Sequence, residues 1–247
     1  MEARRRATLH RMATPEHLCP FGLKSRDLLR RKGFEIDDRL LTSRSAQDKF
    51  KLEHNVETTP QTFIDGQRIG GYDDLRRHFG LTVKDPEAIT YQPVLAVFGV
   101  AALLALALAW VVLGTVASVQ VLSWFIAISM CLLAMLKLQD VEKFSTMFLG
   151  YDLLARRYVP YAYVYPWGEL LAGVLMLAGV ADWLSVPVAL VIGTIGAVSV
   201  VKAVYIDKRE LKCACVGGGS NVPLGFVSLT ENLMMIGMAL WMGLGAL

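Results

Sequence analysis

The sequence predicts two unlike halves: a small α/β domain at the N-terminus and, behind it, an all-α transmembrane bundle of about five helices. Three observations predict this. Hydrophobic residues make up 54% of the 247, and mean hydropathy is +0.44, too apolar for a wholly soluble chain. Charge is segregated: of 25 Lys and Arg, 17 precede residue 93, and no charged residue stands between Ala88 and Leu136. Several apolar stretches also reach the roughly 20 residues that a helix needs to cross a bilayer. The expected division is 1–85 for the soluble domain, 86–118 for a linker with an extra span, and 119–247 for a four-helix membrane bundle. The net charge of +3 averages the two halves and carries no signal for nucleic acid. The basic Met1–Arg6 stretch is followed by no apolar segment, so no secretory signal is expected there.

Element by element, the first 80 residues alternate between strand and helix. Ala7 to Met12 reads as a strand, and Phe21 to Lys32 as a helix ended by Gly33. Phe34 to Arg39 is a second strand and Ala46 to His54 a second helix. Pro60 to Ile64 and Gln67 to Ile69 flank Asp65-Gly66, a strong two-residue hairpin signal. A last helix starts near Asp73. The order βαβαββα predicts a small sheet covered by helices.

Four cysteines, Cys19, Cys131, Cys213 and Cys215, are too few for a disulfide scaffold, so each is judged by its surroundings. Cys19-Pro20-Phe21-Gly22 stands where the first strand turns into the first helix. A thiol there meets the positive end of the helix dipole and unpaired N–H groups, which favour the thiolate. Lys24 and Arg26 add positive charge nearby.

At these residues the sequence resembles the glutaredoxins, over about residues 7 to 80. Cys19-Pro20-Phe21 is similar to the start of the glutaredoxin active site, and Thr58-Thr59-Pro60 to the segment holding the family's cis-proline. Phe63-Ile64-Asp65-Gly66 and Ile69-Gly70-Gly71-Tyr72-Asp73-Asp74 are similar to the hairpin and glycine turn that cradle glutathione. The resemblance implies a thioredoxin-like fold, Cys19 as nucleophile, and glutathione as co-substrate with no tightly bound cofactor. It also implies that Phe21, Thr59 and Pro60 line the glutathione site, while Gly71, Tyr72 and Asp73 receive the γ-glutamyl end. Two departures stand out. Gly22 replaces the second cysteine of dithiol members, and Pro15-Glu16-His17-Leu18 lacks the Lys that usually precedes the active-site Cys. A single thiol works through mixed disulfides with glutathione or with a protein thiol.

In the membrane half, the expected spans are Pro93 to Leu113, Val119 to Leu138, Tyr165 to Ala181, Pro187 to Ile206 and Val222 to Leu247. The end of the second and the segment after it carry Lys137, Lys143, Arg156 and Arg157; the end of the fourth and the segment after it carry Lys202, Lys208, Arg209 and Lys212; the loops after the first and third and the C-terminal tail carry none. The positive-inside rule then predicts a multi-pass protein of a bacterial-type inner membrane. The N-terminal domain, Cys213 and Cys215 would be cytoplasmic, and the C-terminus would lie opposite.

Cys213-Ala214-Cys215-Val216 precedes three glycines, Gly217 to Gly219, and residues two apart act together only off a helix. Such a pair forms a readily reduced disulfide or, alternatively, clamps a soft ion such as Cu(I), with Met234, Met235, Met238 and Met242 as candidate thioethers. The segment from about Leu122 onward resembles the methylamine utilisation protein MauE and its DoxX-like relatives. The resemblance rests on Lys137-Leu138-Gln139-Asp140, on Pro166-Trp167-Gly168-Glu169 with Leu170 to Gly173, and on the Cys-x-Cys-x-Gly. It implies a four-helix membrane bundle linked to redox maturation of a client protein. Cys131, Glu169 and Glu231 are candidate accessory residues, because ionisable groups within spans face the bundle interior as proton carriers or as helix–helix hydrogen bonds. The sequence thus predicts a membrane-bound thiol–disulfide oxidoreductase with Cys19, Cys213 and Cys215 as its reacting thiols. Its partners would be glutathione, the lipid bilayer and a client protein. A Cu(I)-handling protein and a non-enzymatic assembly factor are the alternatives.

Overall fold

The computed structural model describes residues 5–83, 85, 88–214 and 221–245. Cys215 and the Val216–Gly219 stretch lie outside the described residues. The chain falls into two compact units, Met1–Pro86 and Glu87–Leu247.

The N-terminal unit runs β1 (Arg6–Met12), α1 (Pro20–Arg31), β2 (Glu35–Leu41), α2 (Arg44–His54), β3 (Gln61–Ile64), β4 (Gln67–Gly70) and α3 (Tyr72–His78). Its sheet has the order β2-β1-β3-β4. β1 runs parallel to β2 and antiparallel to β3, and β3 pairs antiparallel with β4. This mixed sheet with its helices fits the expected thioredoxin-like fold. Leu9 of β1 is buried against Leu28 and Leu29 of α1 and Leu75 of α3. Asp65 and Gly66 take φ of 48° and 82°, the two left-handed positions that a tight hairpin turn demands.

The second unit runs α4 (Gln92–Leu113), α5 (Val119–Leu138), α6 (Val141–Leu149), α7 (Pro160–Ala178), α8 (Asp182–Val200) and α9 (Phe226–Gly245), with a π-helical turn, Val201–Ile206, continuing α8. Four of these are long and apolar enough to cross a membrane: α4, α5, α8 with its continuation, and α9. α7, in the place of the expected third span, has 19 residues but carries Tyr161, Tyr163, Tyr165, Pro166 and Glu169. It packs between α5 and α8 as one of the bundle's helices. The short helix α6 has no counterpart among the expected elements. α9 starts later than expected because Asn221–Leu224 runs back along the preceding segment, with Cys213 N–H on Val222 O at 2.7 Å and Leu224 N–H on Leu211 O at 2.7 Å.

Small residues let these helices approach closely. Ala101, Ala105 and Ala109 of α4 are fully buried against Trp124 and Ile128 of α5. A Cβ on Gly173 of α7 would stand 2.9 Å from Cys131 Sγ of α5. Gly193 and Gly196 of α8 pack on Asn232, Met235 and Ile236 of α9. Buried Asp152 fixes the turn before α7 by accepting from the N–H groups of Leu154 (3.0 Å) and Ala155 (2.8 Å) and from Ser199 Oγ of α8 (3.1 Å).

Candidate functional site

In the N-terminal unit Cys19 is the N-cap of α1, with Pro20 at the first helical position, where a missing N–H costs nothing. Its N–H donates to Met12 O (3.1 Å), and its carbonyl accepts from Leu23 N–H (3.1 Å). The end of β1 and the first turn of α1 therefore pin the residue. Cys19 is 7% exposed, between protruding Leu18 and Phe21.

Gly22 has a neighbour that explains the missing second thiol. A Cβ there would stand 2.7 Å from Arg11 Cβ and 2.9 Å from Arg11 Cδ. Arg11 is held from the other side by a bidentate pair with Asp38, Nε to Oδ1 and Nη2 to Oδ2, both 2.8 Å. Arg26 of α1 reaches Asp38 Oδ2 at 3.4 Å. Burial pushes the Asp38 carboxyl up, but hydrogen bonds and charge from Arg11, then from Arg26, outweigh it and hold the group below its ordinary value.

The segments expected to hold glutathione come together in two pairs. The Thr59–Pro60 bond is cis. Gln47 Nε2 of α2 donates to Thr59 Oγ1 at 2.7 Å, and a Cβ on Gly71 would lie 3.7 Å from Pro60 O. The Phe21 and Tyr72 rings lie 6.3 Å apart. Lys24 Nζ stands 5.5 Å from the first ring and 5.9 Å from the second. Asp73 sits in the first turn of α3, and Asp74 Oδ2 accepts from Gly71 N–H at 3.0 Å. A cleft of about 730 Å³ opens between the Thr14–His17 turn and α2, with Gln47 in its wall.

In the second unit Cys213 is fully buried with Val94, Val222 and Val227, and its Sγ lies 3.1 Å from Ser228 Oγ of α9. Further into the bundle, Lys137 Nζ of α5 donates to Glu169 Oε2 of α7 at 2.5 Å and to Glu231 Oε1 of α9 at 2.6 Å. The side chains are 1%, 0% and 3% exposed. The Tyr165 ring lies 5.4 Å from Lys137 Nζ.

Residues 115–245, more than half of the chain, match the family of the methylamine utilisation protein MauE. The chain belongs to the MauE family. Residues 12–69 match the glutaredoxin family, so a glutaredoxin domain precedes the MauE domain. The hybrid peroxiredoxin hyPrx5 of Haemophilus influenzae is 36% identical over 61 residues, 25% of this chain and 25% of that protein. The Probable glutaredoxin ssr2061 of Synechocystis sp. is 36% identical over 70 residues, 28% of this chain and 80% of that protein. The chain thus spans a quarter of the first relative's length and most of the second's.

Within the MauE domain one expectation is corrected. Lys137 does not mark the water-exposed end of a span, because it is buried as the counter-ion of two carboxylates. Lys143, Arg156 and Arg157 carry that end's positive charge. Its partners are 32 and 94 positions away in sequence, which hides the cluster from any local reading. The available signal is one ionisable group in each of three apolar helices, since such groups seek one another. The Arg11–Asp38 pair is hidden for the same reason: the first sits in a strand and the second 27 residues on. Met235 and Met238, considered for Cu(I), pack in the bundle core. Among the described residues no group of three His, Cys, Asp or Glu is placed to hold a metal ion.

Proposed function

We propose that this protein is a membrane-bound, glutathione-dependent thiol–disulfide oxidoreductase, in which the glutaredoxin domain reduces a Cys213–Cys215 disulfide of the MauE domain in support of redox maturation of a client protein. Cys19 is the nucleophile. Its thiolate attacks the Cys215 sulfur, forms a mixed disulfide and releases Cys213. One glutathione thiolate then displaces Cys215 from Cys19, and a second displaces Cys19, leaving oxidised glutathione and two protein thiols. The observation that carries this reading is the lone N-capping Cys19, with Gly22 against Arg11, in one chain with a membrane Cys-x-Cys. Without a second thiol of its own, Cys19 needs an external resolving thiol, and the cis Thr59–Pro60 bond and the neighbouring Phe21 and Tyr72 rings support glutathione in that role. Fusion to the membrane domain raises the effective concentration of one thiol near the other to roughly millimolar. The expected orientation, with the glutaredoxin domain and the Cys-x-Cys on the cytoplasmic side of an inner membrane, matches a glutathione-fed reaction.

The test is the redox state of Cys213 and Cys215 in cells, read by alkylation and mass spectrometry. Cys19→Ser should leave the pair oxidised, and in wild type a Cys19–Cys215 peptide should be trapped under mild oxidation. An unchanged pair in Cys19→Ser would sink the proposal.

A further inference from the structure

In the turn after α6 one backbone oxygen collects two cations. Gly150 O accepts from Nη2 of Arg156 and, at 2.8 Å, from Nη1 of Arg209, which stands beyond the π-helical turn and 59 positions on in sequence. Nε of Arg156 also donates to Leu149 O at 3.2 Å. α6 ends here, and the last carbonyls of a helix lack intrahelical partners, so a single arginine would serve as a cap. The second is surplus. Two hydrogen bonds meeting at one oxygen keep their donor nitrogens within about 6 Å of each other, and a carbonyl dipole does not neutralise two full charges.

No carboxylate compensates. Among the described residues these carbonyls are the hydrogen-bond partners of both arginines, and neither forms an ion pair. The carboxylates of this end are engaged elsewhere. Asp140 caps α6 through Lys143 N–H (3.0 Å), Glu142 accepts from the Tyr163 hydroxyl (3.1 Å), and Asp207 pairs with Lys202 (3.0 Å). Asp152 lies within electrostatic reach of Arg156 but is fully buried, with its oxygens on Leu154, Ala155 and Ser199. Glu210 points into solvent, while Lys143, Arg157 and Lys208, all exposed, add further positive charge. The level of the two guanidinium groups is marked by aromatic rings. α7 begins just after Arg157 and exposes Tyr163 and Trp167, four apart on one face, with exposed Tyr158 just ahead of them. Exposed Tyr and Trp on a membrane helix stand at the depth of the lipid headgroups.

We propose that Arg156 and Arg209 form a binding site for the phosphate of an anionic membrane phospholipid. The carbonyls leave Nη1 of Arg156, and Nε and Nη2 of Arg209, free to donate, and a guanidinium fork fits a phosphate oxygen pair. The anion supplies the charge that this end of the bundle lacks. A zwitterionic lipid brings its own ammonium beside the phosphate and leaves the surplus unmet. The site stands independently of the thiol-exchange reading.

Native mass spectrometry of the full chain in detergent, titrated with phosphatidylglycerol or phosphatidylcholine, reads occupancy per chain. Wild type should saturate at a single phosphatidylglycerol and prefer it to phosphatidylcholine. Arg156→Gln and Arg209→Gln should each weaken that binding roughly fivefold, the weight of one basic residue at an anionic lipid surface. Lys202→Gln removes a cation of the same end that already has Asp207 as its partner, and should leave binding unchanged. An equal loss in all three variants, or uptake of both lipids without saturation, overturns the site in favour of diffuse surface charge. Inorganic phosphate that displaces phosphatidylglycerol at equal concentration overturns the lipid as occupant. Thermal melting before lipid is added checks the fold of each variant. Phosphatidylglycerol should then raise the melting temperature of wild type and of neither Gln variant. Where a variant does not fold, saturation and headgroup preference in wild type decide alone.

Discussion

Each unit holds a three-membered ion cluster, and the two are opposites. In the glutaredoxin domain Arg11 and Arg26 share Asp38; the side chains are 5%, 32% and 23% exposed, so the surplus positive charge reaches water. In the MauE domain one lysine serves two glutamates, and the whole cluster is sealed. A surplus charge at a wetted rim is solvated at little cost, whereas in a sealed bundle it must be neutralised. The first cluster therefore acts as a structural clasp between β1, β2 and α1. The second ties α5, α7 and α9 together away from water.

The largest expected effect comes from removing the shared lysine. Lys137→Met takes from two buried carboxyls the cation they share, and breaking a buried ion cluster at one partner costs about 3–5 kcal/mol. Thermal unfolding of the intact protein in nanodiscs should show a clear drop. Adding Glu169→Gln and Glu231→Gln to the same chain should recover most of it, since a neutral cluster leaves no charge to bury. If Lys137→Met unfolds where wild type does, the two clusters are not opposites and the comparison breaks.

The wetted cluster should respond less. Asp38→Asn removes the negative charge and one of the two oxygens that accept from Arg11 and Arg26, and costs about 2 kcal/mol, the scale of hydrogen bonds to charged groups. Its pH dependence has a definite sign. The Asp38 carboxyl is held below its ordinary value of 3.8. Its contribution is therefore complete above that pH and is lost as pH falls through the lower folded-state value. Protection factors of the β1 and β2 amides in the full-length protein, which correct for the intrinsic pH dependence of exchange, should fall on acidification below about pH 4 in wild type. Asp38→Asn should exchange faster at neutral pH and lack that acid-dependent component. An acid response equal in both proteins would show that other carboxylates govern the domain.

How much of this is legible in the sequence follows from how far each signal reaches along the chain. The hairpin at Asp65-Gly66, the helix starting at Pro20 and the apolar runs of α4 and α5 are local patterns. Composition fixes each of them within a few residues. α7 is harder, because its tyrosines, Pro166 and Glu169 dilute the hydropathy while packing against α5 and α8 keeps it in the bundle. The return of Asn221–Leu224 along Leu211–Cys213 depends on pairing across a segment with no local periodicity, so the sequence places the start of α9 too early. The ion clusters are the least legible. Glu169 and Glu231 stand out singly as costly residues in apolar helices, but only the packing of α5, α7 and α9 shows that Lys137 serves both.

The smallest expected effect bears on why the two thiol sites differ. Arg11 Cβ and Cδ fill the space beside Gly22, where a second thiol would have to stand. Arg11 in turn is fixed by two 2.8 Å bonds to Asp38, so the near atoms are not the loose end of a side chain. Gly22→Cys should therefore cost ~1 kcal/mol from overpacking, and its new thiol should be a poor partner for Cys19. Mass spectrometry after mild oxidation should find Cys19 mainly as its glutathione adduct in that variant. Combining Gly22→Cys with Arg11→Ala opens the space and should yield a disulfide between Cys19 and the introduced thiol, converting the domain to the two-thiol form. Cys19 would then resolve its own mixed disulfides and depend less on glutathione. If that disulfide formed as readily with Arg11 present, the clasp would not be what sets the single-thiol character of the site.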